Sequence, residues 1–420
     1  MGYFIDHDCS HDLFRRDWRL VPLGVTEKVP TRKTQGSRKP AGFFAITAPG
    51  LEELLADEIA HLTGRRGETS SGGVAFAGGM KDMRRVNLWS RIASRVVVRM
   101  DEFHASSFHE LERRAKQVEW DRFVSVGQSL RFRVTCRKSR LYHSDAVAER
   151  LAAAVKSKVG GNRHIVSDHE ADDDADAEDA SGAQLFVIRI ADDICTISAD
   201  TSGELLHRRG YRKAVAKAPL RETIAAAMLV GSGWDMKSPL ADPLCGAGTI
   251  AIEAAMMARR MAPGANRQFA FEKWPKHDPA AWHEEVGTAK RDAFPKAAGP
   301  IIASDRDEGA IASTRSNAER AGVSEDIQID CRPVSAVQLP DEPGWIVTNP
   351  PYGVRVGESG PLRNLYAQMG TVVRSRAPGY HIALLSADSE LEAQLKIPLR
   401  EIFQTTNGGI PVHLVMGNGK

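Results

Sequence analysis

At 420 residues the chain is long enough for two or three domains and a large buried core, which rules out a small disulfide-stapled scaffold. Hydrophobic residues make up 42% and charged residues 26%, and no apolar run nears the roughly 18 residues that cross a bilayer, so a membrane-spanning protein is not expected. The formal charge is only +2, but eight carboxylates crowd residues 168–179 and leave +10 on the rest, a balance that favours a polyanionic partner such as nucleic acid.

The start, MGYFIDHDCSHDLF, has no basic lead into an apolar core, so neither a secretory signal nor a transit peptide is read and a cytoplasmic location is expected. Cys9, Cys136, Cys195, Cys245 and Cys331 never fall as CxxC, and the 13 histidines show no ligand spacing. Reduced thiols and no metal site are expected.

Residues 1–40 lack periodicity and end in KVPTRKTQGSRKP, which predicts a flexible basic tail. The run FFAIT predicts a strand, and PGLEELLADEIAHL a helix with Leu51, Leu54, Leu55, Glu58 and Leu62 on helical spacing. GGVAFAG (strand), DMRRVNLWSRIA (helix) and RVVVRM (strand) complete a small α+β unit of split βαβ type over 41–105. A second unit, 106–202, holds the helical segments FHELERRAKQVEW and SDAVAERLAAAVKSKV and the strands SLRFRVTCR, QLFVIRI and DICTISAD. The acidic run between them reads as a solvated loop insertion.

From about residue 203 longer helices alternate with apolar strands, which predicts a doubly wound α/β domain. Its strands are PLADPL, PIIASD, IQIDC, WIVTNP and YHIALLSA, and its helices include TIAIEAAMMARR, DEGAIASTRSNAERAG and LRNLYAQMGTVVRSRA. The last two strands, LREIFQTT and IPVHLVMG, are joined by Asn407-Gly408-Gly409, so a mostly parallel sheet is expected to end in an antiparallel hairpin, unlike the usual dinucleotide fold.

The segment Asp242-Pro243-Leu244-Cys245-Gly246-Ala247-Gly248-Thr249 lies between an apolar strand and a helix. Glycines there let the backbone turn tightly and approach a ligand, and the helix start offers N–H groups to an anionic group. The GK[ST] ending of a P-loop is missing. Gly246, Gly248 and Ala251 match G-x-G-x-x-A, but the acidic residue expected about 20 positions on falls near Glu272, where no strand precedes it. The carboxylate that does end a strand is Asp305, 54 positions beyond Ala251, so the dinucleotide reading is the weaker one. Asn349-Pro350-Pro351-Tyr352-Gly353 follows the strand WIVT directly. Such a run can simply break a strand, but its place at the carboxyl end of a central strand, where ligands lie in open α/β sheets, favours function.

Together, DPLCGAGT and NPPY resemble the class I S-adenosylmethionine-dependent methyltransferases that act on exocyclic amines. The resemblance implies a Rossmann-like sheet, S-adenosylmethionine as cofactor, and cofactor contacts at Asp242, Gly246, Gly248, Thr249, Asp305 with Arg306, Asp330 and Asn349. It also implies that KAPLRET, through Ala218 and Leu220, closes over the methionine end. Asn349 and the carbonyl of Pro350 would accept the amine protons as positive charge grows on nitrogen, with Pro351 stiffening the loop and Tyr352 stacking on the base.

NPPY alone is shared by enzymes of DNA adenine, RNA guanine and protein glutamine. The longer stretches SADTSGELLHRRGYRKAVAKAPLRETIAAAML, MAPGANRQFAFEKW and TNPPYGVRVGE resemble the THUMP-bearing RNA guanine-N2 methyltransferases, and so does the N-terminal half. The implied division is a ferredoxin-like domain at 41–105, a THUMP RNA-binding domain at 106–202 and a methyltransferase domain at 203–420. The substrate implied is 23S rRNA, with transfer RNA the alternative; a non-catalytic RNA-binding assembly factor is the rival of another class. Because the chain ends soon after the hairpin, the second methyltransferase domain of the fused rRNA enzymes, and with it guanine-N7 activity, is expected to be absent. RNA contacts are expected from Arg137, Lys138 and Arg140, which follow Arg131 and Arg133 with Phe132 and Tyr142 interleaved, and from Arg208 and Arg209, beside Arg212 and Lys213. Phe271 and Trp274 read as packing residues, and no obligate protein partner is read.

Overall fold

The structure, a computed structural model, describes residues 42–160, 165–167, 182–212, 220–352 and 359–419. The expected tail, the acidic insertion, Lys213 and Ala218 lie outside the described residues.

The N-terminal half begins with β1 (Gly42–Ile46), α1 (Glu52–Thr63), β2 (Glu68–Ser70), β3 (Gly73–Ala77), α2 (Met80–Trp89) and β4 (Arg95–His104). It continues with α3 (Phe108–Ala115), β5 (Leu130–Arg137), α4 (Ser144–Val159), β6 (Ile165–Ser167), β7 (Gln184–Ala191) and β8 (Ile194–Asp200). The spacing in the sequence accounts for these helices: α1 buries Leu55, Ile59 and Leu62 on one stripe, and the Ser107 hydroxyl caps α3 by accepting the Glu110 N–H. All eight strands form one sheet, in the order β2-β3-β1-β4-β8-β7-β5-β6. β4 and β8 run antiparallel from Val97↔Asp200 to His104↔Ile194, so the two predicted N-terminal units share a ladder.

The C-terminal half contains α5 (Glu222–Gly231), β9 (Leu240–Asp242), α6 (Thr249–Ala258), α7 (Pro279–Arg291), β10 (Ile301–Asp305), α8 (Glu308–Ala321), β11 (Ile327–Cys331) and β12 (Trp345–Thr348). Then come α9 (Ser359–Arg376), β13 (His381–Ser386), α10 (Ser389–Ala393), β14 (Arg400–Asn407) and β15 (Ile410–Asn418). The sheet order is β11-β10-β9-β12-β13-β15-β14, parallel through β13, with β15 antiparallel to both its neighbours. The mostly parallel sheet with a terminal hairpin is therefore present. Chain order reverses between β9 and β12, and the loops after those strands share one rim, the place where open sheets bind ligands.

The hairpin turns on different residues from those its Asn-Gly pair suggests. Asn407 pairs with Ile410, so the two central residues are Gly408 and Gly409, with φ of 57° and 79°. Two successive positive φ values are what a type I′ turn requires, and the glycines meet that demand without Asn407.

The halves pack through polar contacts as well as a shared apolar core. The Arg91 guanidinium donates to the Met261 carbonyl at 2.6 Å, the Gly264 N–H to Leu88 at 2.9 Å, and Arg84 holds Glu285 with both Nε and Nη2. Phe271 and Trp274 are buried, and the Trp274 indole N–H donates to Gln184 at 2.9 Å. No described helix is long and apolar enough to cross a membrane. Cys136, Cys195, Cys245 and Cys331 are free thiols, and no described group of acidic, histidine and cysteine side chains could hold a metal.

Candidate active site at the carboxyl rim of the C-terminal sheet

The loop between β9 and α6 is held open from behind. Gly246 and Gly248 have φ of +53° and +82°, a region that side-chain-bearing residues avoid. α8 secures the loop carbonyls: the Thr314 hydroxyl donates to Gly246 at 2.8 Å and the Asn317 amide to Ala247 at 2.9 Å. A Cβ at position 248 would come within 2.7 Å of Thr314 Cγ2. From the neighbouring strand end, Asp305 Oδ2 accepts the Gly246 N–H at 3.1 Å and its Oδ1 accepts the Asp307 N–H at 3.0 Å. A carboxylate has about four lone-pair sites, so Asp305 retains capacity for two more donors. Asp330, on β11, accepts from the Gln328 amide at 2.9 Å, and Arg306 is exposed beside Asp305.

Asp242 is placed differently. It is buried, and Oδ1 accepts from the Thr348 hydroxyl at 2.7 Å and from the Leu244 N–H at 3.3 Å. Burial pushes its carboxyl up to about 7, the neighbouring Asp305 charge adding to the rise. Asp242 therefore ties the end of β9 to the end of β12, and the next residue after Thr348 is Asn349. The Asn349 Oδ1 is buried and accepts no hydrogen bond from any described residue. An acceptor in that state costs about 1–3 kcal/mol, which an incoming N–H would recover. Pro350 is buried, and Tyr352 is half-buried with its hydroxyl accepting from the Asn407 amide at 2.8 Å.

Thr249 is buried at the start of α6, where its hydroxyl accepts from Arg212 at 3.1 Å. The same guanidinium donates to the Leu220 carbonyl at 2.6 Å and pairs with Glu222 at 3.2 Å, gathering three segments behind the glycine loop. Burial raises the Glu222 carboxyl to about 7 against the pull of Arg212. The roles of Thr314, Asn317, Thr348 and Arg212 escape sequence reasoning because each acts on a partner distant in the chain; only the proximity of Arg212 to KAPLRET hints at one.

The basic residues separate by burial. Arg137, at the end of β5, and Lys138 and Arg140, on the bend after it, are exposed; the bend is pinned to the β7–β8 connection, the Arg140 N–H donating to Asp193 at 2.7 Å, with Tyr142 exposed beside them. Arg208 is half-buried. Arg209 corrects the expectation of an RNA contact: it is buried, donates to the carbonyls of Leu206 at 2.5 Å and Arg91 at 2.7 Å, and lies 3.5 Å from Glu253. Its charge is spent inside the protein. Arg131 is buried too, and Phe132 stacks on Phe186 in the core, so neither belongs to the exposed basic strip.

Residues 42–97 match the RlmL ferredoxin-like domain, 105–200 the THUMP domain, and 209–415 the domain described as RMKL-like, methyltransferase. A Synechocystis sp. protein provisionally named an RNA methyltransferase is 32% identical over 374 residues, covering 89% of this chain and 95% of its own. The chain belongs to the THUMP-bearing RMKL-like methyltransferases. Within that family, the ribosomal RNA large subunit methyltransferase K/L of Syntrophotalea carbinolica is 33% identical over 388 residues, 90% of this chain but 53% of its own. The chain thus spans about half the length of the K/L relatives it matches. Among solved structures, SMU.472, a provisionally named methyltransferase complexed with SAH, superposes with a TM-score of 0.78 at 27% identity, covering 91% of this chain and 99% of that one.

Proposed function

We propose that this RMKL-like protein transfers a methyl group from S-adenosylmethionine to the exocyclic N2 amine of a guanine in RNA, with 23S rRNA as the substrate. The observation that carries the reading is the buried, unpartnered Asn349 Oδ1 at the end of β12, an acceptor prepared for a donor that the described residues do not supply. The residues fit the cofactor as well: positive φ at Gly246 and Gly248 turns the loop tightly at the rim, and Asp305 and Asp330 lie at the carboxyl ends of neighbouring strands with acceptor capacity suited to ribose hydroxyls and an adenine amine. The cofactor, when bound, supplies an activated methyl group on a sulfonium.

The chain's own part is then positioning and electrostatics. An aromatic exocyclic amine is a weak nucleophile because its lone pair is delocalised into the ring. Asn349 Oδ1 and the Pro350 carbonyl would accept its protons and stabilise the charge that grows on nitrogen, interactions stronger in the transition state than before it. Tyr352 would offer a ring face to the extruded base, worth roughly 1–3 kcal/mol against an unstacking cost of a few kcal/mol. Leu220 and Thr249, gathered by Arg212, complete the cofactor side, and Ala218 is assigned there from its motif alone. The exposed Arg137, Lys138 and Arg140, with Arg208, would hold RNA phosphates; contacts of this kind position a substrate and carry no sequence information.

Replacing Asn349 with alanine is expected to lower turnover by about 10²–10³-fold while leaving RNA affinity nearly unchanged. Unaltered turnover would remove Asn349 from the mechanism. Nucleoside mass spectrometry of RNA from a strain lacking the gene should show loss of N2-methylguanosine at one mapped position. An unchanged level would refute the guanine-N2 assignment, and a loss confined to transfer RNA would replace the ribosomal substrate.

A further inference from the structure

We propose that Asn407 is a positioning residue for the acceptor base, acting through Tyr352. The inference rests on the reading of Tyr352 as the face on which the base stacks. Asn407 ends β14, the edge strand, 55 positions from Tyr352 in the sequence, yet its Nδ2 donates to the tyrosine hydroxyl at 2.8 Å.

The hairpin itself does not explain the residue. Asn407 lies outside the two central turn positions, whose positive φ values are met by Gly408 and Gly409, and its backbone is already paired with Ile410. Nevertheless Asn407 is only 6% exposed, so a polar amide has been taken out of water at that point. Burial of an amide is costly without a partner, and the described partner is the phenol.

The geometry also gives the contact a use. Tyr352 follows two prolines, which fix the backbone before it but not the torsion that swings the ring. A hydrogen bond at the para oxygen fixes the far end, so the half-buried ring, packed in part against the core, is held in one orientation. The strand that provides this anchor is braced in turn. Gly50, with φ +85°, lies so close to β14 that a Cβ there would come within 1.8 Å of the Gln404 carbonyl oxygen. The loop before α1 therefore seats directly on the strand that holds the tyrosine.

The test compares the full chain with Asn407→Ala, Tyr352→Phe, the double variant and Tyr352→Ala, using S-adenosylmethionine and large-subunit rRNA isolated from a strain lacking the gene. Removal of one neutral hydrogen bond from either end should cost about three- to tenfold in kcat/KM for RNA, with the dissociation constant for S-adenosylmethionine unchanged by calorimetry. The double variant should lose no more than either single one, because both changes delete the same contact. Asn407→Asp, whose carboxylate can accept from the phenol, should recover part of the loss. Additive losses, or an equal loss of cofactor affinity in Asn407→Ala, would overturn the positioning role. Should Tyr352→Ala leave turnover intact, the stacking reading fails; should Tyr352→Ala be damaging while Asn407→Ala and Tyr352→Phe are silent, only the role of Asn407 fails. Tyr352→Phe leaves the hairpin sequence untouched and so keeps the test decisive even if Asn407→Ala does not fold.

Discussion

Gly248 has two separate reasons to remain glycine. Its φ of +82° strains any residue with a Cβ, and that Cβ would meet the Thr314 methyl. Gly248→Ala is therefore expected to lower stability by about 1–3 kcal/mol, read as a fall in the urea midpoint. Adding Thr314→Ala should return the steric part and leave the backbone part; full recovery would show that the left-handed φ costs nothing here. Glycines of this kind are legible in a bare sequence because one residue type answers a backbone demand. Charge is not legible in the same way. Arg137 and Arg209 look alike as letters, yet one is exposed at a strand end and the other is enclosed among carbonyls and a carboxylate.

At the level of elements, the rim depends on how β9 and β12 are tied together. Asp242 carries a carboxyl raised to about 7 by burial, compared with 3.8 for the ordinary group. The folded state thus keeps its proton to higher pH than the unfolded chain does. Stability from this group is complete below about pH 4 and is lost as pH climbs to about 7, a difference of roughly 4 kcal/mol. Asp242→Asn should lose less stability over that interval, so denaturation curves of the two proteins should diverge in slope between pH 4 and 7. The difference between them isolates the group, because His207, lowered to about 3 by burial, pulls the opposite way as pH falls. Parallel curves would contradict the assignment.

The strands of this sheet can be read from sequence because an apolar run meets a breaker: IIASD, IQIDC and WIVT coincide with β10, β11 and β12. α5 gives no such signal, being buried on every side and hence apolar without a stripe. α7 lies between α6 and β10, in a stretch where no motif draws attention to it.

Across the whole molecule, α2 of the N-terminal half is joined to α7 of the C-terminal half by an ion pair. Arg84 and Glu285 form a forked pair with side chains 13% and 22% exposed, sheltered enough for the pair to matter. A double-mutant cycle with Arg84→Ala and Glu285→Ala should give a coupling energy of about 1 kcal/mol or more in denaturant unfolding. A value near zero would show that this pair adds nothing to the seam and would leave it to the apolar core and the other polar contacts. None of this seam is visible in the sequence, since its partners are some 200 positions apart.

The ladder between β4 and β8 sets the terms on which such proteins can be cut and recombined. Although the family motifs divide the N-terminal half in two, excising residues 105–200 would strip β4 of a neighbour and leave a ten-residue strand with bare amides ready to recruit strangers. A chimera that trades one RNA-recognition module for another has to move residues 42–200 as a single cassette.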